Sequence, residues 1–341
     1  YDMIHELKPG GTFLLNCTWT EQELEERVPA KVKRYMAEND IQFYIVDANR
    51  IAHDLGLGDK SSMILQAAFF NLTKVIPVDD AVEYMKAAAK KSFAKKGEKV
   101  VNMNLAAVDA GINSPIHVEI PTDWKDAKDE EKDLTNLPAM IRDIVMPINA
   151  QRGDDLPVST FVGHEGGTFT MGTSVYEKRG IATQVPVWNP DKCMQCNRCA
   201  YVCPHAAIRP FLLNAEETNR SPEEFQTKTA NGANEYQYTL QVSTMDCTGC
   251  GSCVASCPAK EKAIEMVPAA DVLEKTENWQ YALTLSDKGD VFRAETVKGS
   301  QFRLPLLEFS GACAGCGQTP YAKLITQLYG DKAYWVNAIG C

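Results

Sequence analysis

Two runs of cysteine constrain this chain more than anything else in it. Cys193, Cys196, Cys199 and Cys203 are followed by Pro204, and Cys247, Cys250, Cys253 and Cys257 by Pro258. Both runs read Cys-x2-Cys-x2-Cys-x3-Cys-Pro, and together they take up eight of the twelve cysteines. Disulfide frameworks belong to short, loop-rich secreted chains, and 341 residues is too long for one. Zinc takes four ligands, commonly as two separated pairs or mixed Cys/His sets, and two complete four-cysteine runs fit that poorly. The spacing is that of [4Fe–4S] ligation, in which the fourth Cys of each run serves the other run's cluster. The reason is geometric: three thiolates on a tight loop reach three corners of one cube, while the fourth sits on a departing turn that points elsewhere. Cluster A is therefore expected on Cys193, Cys196, Cys199 and Cys257, and cluster B on Cys247, Cys250, Cys253 and Cys203.

This is the arrangement of a bacterial two-cluster ferredoxin, a small α+β module, with an insertion expected on a loop between the runs over Pro210–Asp246. The chain is far longer than such a module, and its length implies two or three domains. A net charge of −10 gives no basic surface for nucleic acid. No apolar run approaches the ~20 residues that span a bilayer, so neither nucleic acid nor membrane is an expected partner and a cytoplasmic location is expected. The sequence opens on Tyr1 without a Met and stops at Cys341 just after an apolar stretch, and it reads as an internal piece of a longer polypeptide.

Upstream of the cysteines, strands and helices alternate. Gly11–Cys17 and Ile41–Ala48 read as buried strands. Between them Thr20 and Glu23 form a capping box for a helix over Glu21–Glu38, which Pro29 should break. Ser61–Thr73 and Val78–Lys96 read as helices, the second stopped by Gly97. This order implies an α/β domain with a mostly parallel sheet over 1–136. Cys17 is expected to be a buried structural thiol. The charged run from Pro121 to Leu137 reads as a connector, and the Gly/Pro/Thr-rich stretch over 137–187 as an irregular connecting domain in which His164 is structural. The ferredoxin-like part is expected over 188–300. Beyond it stand Cys313-Ala-Gly-Cys316 and Cys341: the Cys-x-x-Cys pair is open to metal, redox or knuckle roles, and three cysteines are one short of a full cluster.

Three landmarks make the whole chain resemble a central slice of the pyruvate:ferredoxin (flavodoxin) oxidoreductase family. Tyr176-Glu177-Lys178-Arg179-Gly180, otherwise only a surface charge run, is similar to the short "EKR" domain that precedes the ferredoxin module there. The double cysteine run follows at the expected place. Cys313 to Tyr321 and Asn337 to Cys341 then resemble the opening of the thiamine diphosphate domain, here 301–341. The departures are Gln318, where the family usually shows an acidic residue, and Ile339, where it shows Thr.

The resemblance implies that Cys313, Cys316 and Cys341 hold a third [4Fe–4S] cluster with a fourth ligand from farther along. It implies thiamine diphosphate and Mg2+ in the full-length parent, and a first domain like the family's γ-like domain, associated with coenzyme A. It also implies oxidative decarboxylation of pyruvate with coenzyme A to acetyl-CoA and carbon dioxide. Electrons would leave singly through the third cluster and then clusters A and B to ferredoxin or flavodoxin, and the parent would be a homodimer. This slice by itself is expected to transfer electrons but not to decarboxylate. Two other readings stand beside it: an iron–sulfur subunit serving another enzyme, and a related 2-oxoacid oxidoreductase.

Overall fold

The computed structural model describes residues 3–58, 60–129, 134–272 and 276–336. It divides into two compact units, Tyr1–Glu165 and Gly166–Cys341.

The first unit begins with β1 (Thr12–Asn16), then α1 (Glu21–Arg27) and α2 (Ala30–Glu38), then β2 (Gln42–Val46). Pro29 separates the two helices, as its missing N–H requires. The Thr20 hydroxyl accepts from the Glu23 N–H while the Glu23 carboxylate accepts from the Thr20 N–H, which closes the capping box. There follow α3 (Ala48–Asp54), α4 (Ser62–Thr73), α5 (Val78–Phe93), α6 (Glu98–Ile112), the short β3 (Ile116–Val118) and α7 (Met146–Asn149). β1 and β2 pair in parallel, Phe13 facing Phe43 in register and stacking on it. β3 pairs antiparallel with β2, so the sheet is mixed rather than mostly parallel. The cause is the helical excursion between β2 and β3, which returns the chain to the opposite end of the sheet from a single crossover.

α6 is an element that the sequence reading leaves out. Gly97, taken there as a stop, has φ of +92° and is also the residue before the first turn of α6. α6 lies so close to α4 that a Cβ on Gly111 would stand 2.5 Å from the Ile64 carbonyl oxygen and 2.8 Å from the Ala67 Cβ. Gly111→Ala is therefore expected to cost about 3 kcal/mol, the upper part of the overpacking range, read as an earlier urea transition. The charged connector is also more than a solvated run. Trp124 within it is buried; its indole N–H donates to Glu25 and the Lys33 ammonium lies over its ring. Cys17 packs at the edge of the same core, and burial raises its thiol pKa.

The second unit carries β4 (Gln184–Trp188), α8 (Arg198–Val202), β5 (Ile208–Leu213), α9 (Ala215–Asn219), β6 (Lys228–Thr229), β7 (Gln237–Val242), α10 (Ser252–Ser256) and β8 (Ile264–Pro268). α11 (Thr276–Leu283), α12 (Val297–Ser300) and α13 (Thr319–Tyr329) complete it. β4 pairs antiparallel with β8, and β7 lies between β5 and β6. The segment between the cysteine runs is therefore not a plain loop but carries a three-stranded sheet and the short α9: Ile208 faces Val242, and Leu213 faces Gln237. Its inward residues Leu212, Tyr238 and Leu240 join Cys199, Cys203 and Cys253 in one core.

Behind that sheet, burial pushes the Glu217 carboxyl up. The Lys288 ammonium, the Ser286 hydroxyl and the Asn214 and Ser286 N–H groups outweigh it and hold the group at about 2. A carboxyl held below its unfolded value of 4.5 contributes stability above that pH and loses it as pH falls toward 2. Glu217→Gln should thus cost about 3 kcal/mol at neutral pH. In urea unfolding, its difference from the parent should close between pH 4.5 and 2.

Candidate iron–sulfur centres

Each cysteine run begins as a loop wound by two left-handed residues. In the first run these are Gln195 and Asn197, with φ of 57° and 59°; in the second, Gly249 and Gly251, with φ of 69° and 71°. This winding turns a backbone N–H back onto the first sulfur of each loop: Gln195 N donates to Cys193 Sγ at 3.3 Å, and Gly249 N to Cys247 Sγ at 3.4 Å. Residues other than glycine need support in that conformation. Gln195 has it from the Thr229 carbonyl and the Asn231 N–H, Asn197 from the Lys298 carbonyl and the Tyr238 hydroxyl.

α8 and α10 follow the loops, placing Cys199 and Cys253 in their first turns. Both helices end in extended backbone at Cys203 and Cys257, whose N–H groups close the last turns on Ala200 and Val254. The fourth cysteine of each run is thereby carried away from its own loop. One cavity is lined by Cys193, Cys196, Cys199 and Cys257, with Leu240 and Ile264 among its apolar walls. A second is lined by Cys203, Cys247, Cys250 and Cys253, with Ile208 and Val242. The structure thus brings together the two crossed sets read from the spacing.

Three of these thiols do not ionise cheaply: burial pushes Cys247 up to about 11 and Cys253 to about 12, and Cys199 is pushed up further still, neighbouring cysteines adding to each. Four sulfurs around one cavity suit a polynuclear cation that takes the place of thiol protons. Among the described residues no three His, Cys, Asp or Glu side chains are placed to hold a single metal ion. The donor set, the cavities and the N–H···S contacts fit [4Fe–4S] groups.

Cys313 and Cys316 form a third, tighter turn, closed by Cys316 N on the Cys313 carbonyl at 3.0 Å. The N–H groups of Thr319 and Gln318, at the start of α13, lower the Cys316 thiol. Gly315 in this turn lies against the second cavity: a Cβ there would be 3.7 Å from Cys250 Cβ and from Ser252 Oγ. His205 ties the same parts together, its Nδ1 on the Ser310 carbonyl at 3.0 Å and its own carbonyl accepting from Phe309 N. The third pair is therefore the neighbour of the Cys247 loop. Cys341, and Ile339 with it, lie outside the described residues.

Two lysines support this site, one without any signal in the sequence and one inside the Tyr176–Gly180 landmark whose contacts the sequence does not show. Lys323 of α13 is buried and donates to the carbonyls of Ala200, Tyr201 and Cys203, at the end of α8. Burial pulls its ammonium down to about 8. Lys178 reaches Asp246, the residue before Cys247.

A crossed pair of four-thiol cavities on a repeated loop–helix motif defines a ferredoxin-type electron-transfer module. The comparisons place that module in a larger setting. Residues 1–114 match the family described as pyruvate ferredoxin/flavodoxin oxidoreductase, 126–182 a domain of unknown function called EKR, and 192–260 a 4Fe-4S double cluster binding domain. The whole chain is 53% identical to a pyruvate-flavodoxin oxidoreductase of Enterobacter agglomerans and 49% identical to a pyruvate:ferredoxin oxidoreductase of Moorella thermoacetica, covering 29% of each. It is 42% identical to a mitochondrial pyruvate dehydrogenase [NADP(+)] of Euglena gracilis, covering 19% of that protein. Over its whole length the chain is thus similar to pyruvate:ferredoxin and pyruvate:flavodoxin oxidoreductases, and it spans less than a third of the length of these relatives.

Proposed function

We propose that this chain is the electron-relay portion of an enzyme that oxidatively decarboxylates pyruvate with coenzyme A to acetyl-CoA and carbon dioxide. The observation that carries the relay is the pair of cavities, each lined by three cysteines of one run and the fourth of the other. Bound there, [4Fe–4S] groups accept and release one electron at a time. Cys193, Cys196, Cys199 and Cys257 would hold cluster A, and Cys203, Cys247, Cys250 and Cys253 cluster B. Cys313, Cys316 and Cys341 would contribute to a third. The chain's own residues set the environment: Leu240, Ile264, Ile208 and Val242 keep water from the sulfurs, and the N–H groups of Gln195 and Gly249 stabilise thiolate charge.

Thiamine diphosphate with Mg2+ belongs to the parent enzyme in this reading, next to the third cluster, and the first domain is the part associated with coenzyme A. Ferredoxin or flavodoxin is the acceptor, the parent is a homodimer, and the location is cytoplasmic. No helix among the described residues is long and apolar enough to cross a membrane. The domain division we adopt is 1–136, 137–187, 188–300 and 301–341.

Anaerobic reconstitution, followed by iron, sulfide and zinc analysis and electron paramagnetic resonance of the reduced chain, tests the reading. About eight irons per chain, with two spin-coupled clusters, is the expected result. Stoichiometric zinc without a cluster signal would overturn it. The parent enzyme should reduce ferredoxin or flavodoxin only when pyruvate and coenzyme A are both present.

A further inference from the structure

The Tyr176–Gly180 segment has no assigned role, and it does not lie on the surface as a plain run of charges. Lys178 Nζ pairs with the Asp246 carboxylate, whose side chain is 1% exposed, and stands 4.4 Å from the centre of the Phe309 ring. Asp246 also accepts from the Ser243 hydroxyl, and the Ser243 carbonyl accepts from the N–H of Cys247 at 3.0 Å. Two residues on, Gly180 donates its N–H to the Met245 carbonyl at 2.9 Å. With φ of +58°, a conformation that side-chain-bearing residues rarely adopt, and Met245 Cε 3.0 Å from where a Cβ would stand, a side chain at Gly180 would be strained. Between them, the Arg179 guanidinium lies 3.7 Å from the Cβ position of Gly311, two residues before Cys313. One short segment thus grips the turn that delivers Cys247 and the loop that delivers Cys313.

We propose that this segment is a clasp that positions the second cluster site against the third cysteine pair, with Lys178 as its positioning residue. Lys178 neutralises a buried carboxylate that stands one residue from a cluster ligand, and so tunes the reduction of that cluster. This rests on the reading of the second cavity as an iron–sulfur site. An unpaired buried carboxylate beside the cluster would oppose the arrival of an electron, whereas removing both charges leaves little net field.

The test uses the 341-residue chain, reconstituted anaerobically, with Lys178→Met, Lys178→Arg, Asp246→Asn and the Lys178→Met/Asp246→Asn pair. Iron content and the potential of each cluster are read by resonance-monitored redox titration. Repeating the series in a Cys257→Ser background identifies cluster B. Lys178→Met should make cluster B about tenfold harder to reduce, about 59 mV for one electron, and leave cluster A unmoved. Asp246→Asn should shift it about as far the other way, and the arginine variant and the double variant should return it to within about twofold of the parent. Unmoved potentials in Lys178→Met, or equal shifts of both clusters, would overturn the proposal. If Lys178→Met fails to hold iron, Asp246→Asn decides: a zero or negative shift of cluster B refutes the clasp. A parent chain that takes up zinc and no cluster refutes the iron–sulfur reading instead.

Discussion

Cys257→Ser is expected to halve the iron content, from about eight to about four per chain, and to do so at the other run's site. The cluster lost is the one facing Cys193, Cys196 and Cys199; the one facing Cys247, Cys250 and Cys253 stays. The reason is the extended backbone after α10, which takes Cys257 out of its own loop. Cys203→Ser should give the mirror result. The spin coupling between the two clusters should vanish in both variants, because each retains one. If instead Cys257→Ser abolished the cluster of its own run, the crossed ligand sets would be wrong and the two cavities would need another reading.

Lys323→Met is expected to cost about 4 kcal/mol in urea or thermal unfolding. Its ammonium is the partner of three carbonyls at the end of α8, those of Ala200 and Cys203 in buried bonds and that of Tyr201 in a part-buried one. Leaving buried acceptors unmet costs about 1–3 kcal/mol each, partly offset because a buried charge is removed as well. Lys323→Arg should recover only part, since the planar fork does not copy the three-way reach of an ammonium. A loss below about 1 kcal/mol would mean that the helix end finds other donors.

What the sequence made legible is what local chemistry fixes. Pro29 breaks a helix wherever it falls, Thr20 and Glu23 are three residues apart, and cysteine spacing sets which sulfurs can share a loop. These depend on neighbours in the chain. The misses depend on distant partners. Trp124 reads as part of a charged run because Glu25 and Lys33, which bury it, are about a hundred residues away. Pro210 hides a strand because a proline argues against one, yet it sits opposite Leu240 in the β5–β7 ladder. α6 is obscured because its entry glycine looks like an exit. Lys323 is an ordinary lysine in the sequence and Lys178 is marked only by its landmark segment; only the fold shows a helix end for one and a carboxylate for the other.

The two cluster loops share a backbone path but reach it by different means. Gln195 and Asn197 are pinned by side-chain hydrogen bonds to Thr229, Asn231, Lys298 and Tyr238. Gly249 and Gly251 have no side chains to pin, and glycine surrenders the most freedom on being ordered. The first loop thus brings its shape from the polypeptide, while the second depends more on whatever joins its sulfurs. For the glycine loop, metallation is part of folding, and its share of stability follows the supply of iron and sulfide by mass action. In a cell starved of iron, the half of the module that faces the third cysteine pair is expected to loosen before the half that Gln195 and Asn197 hold.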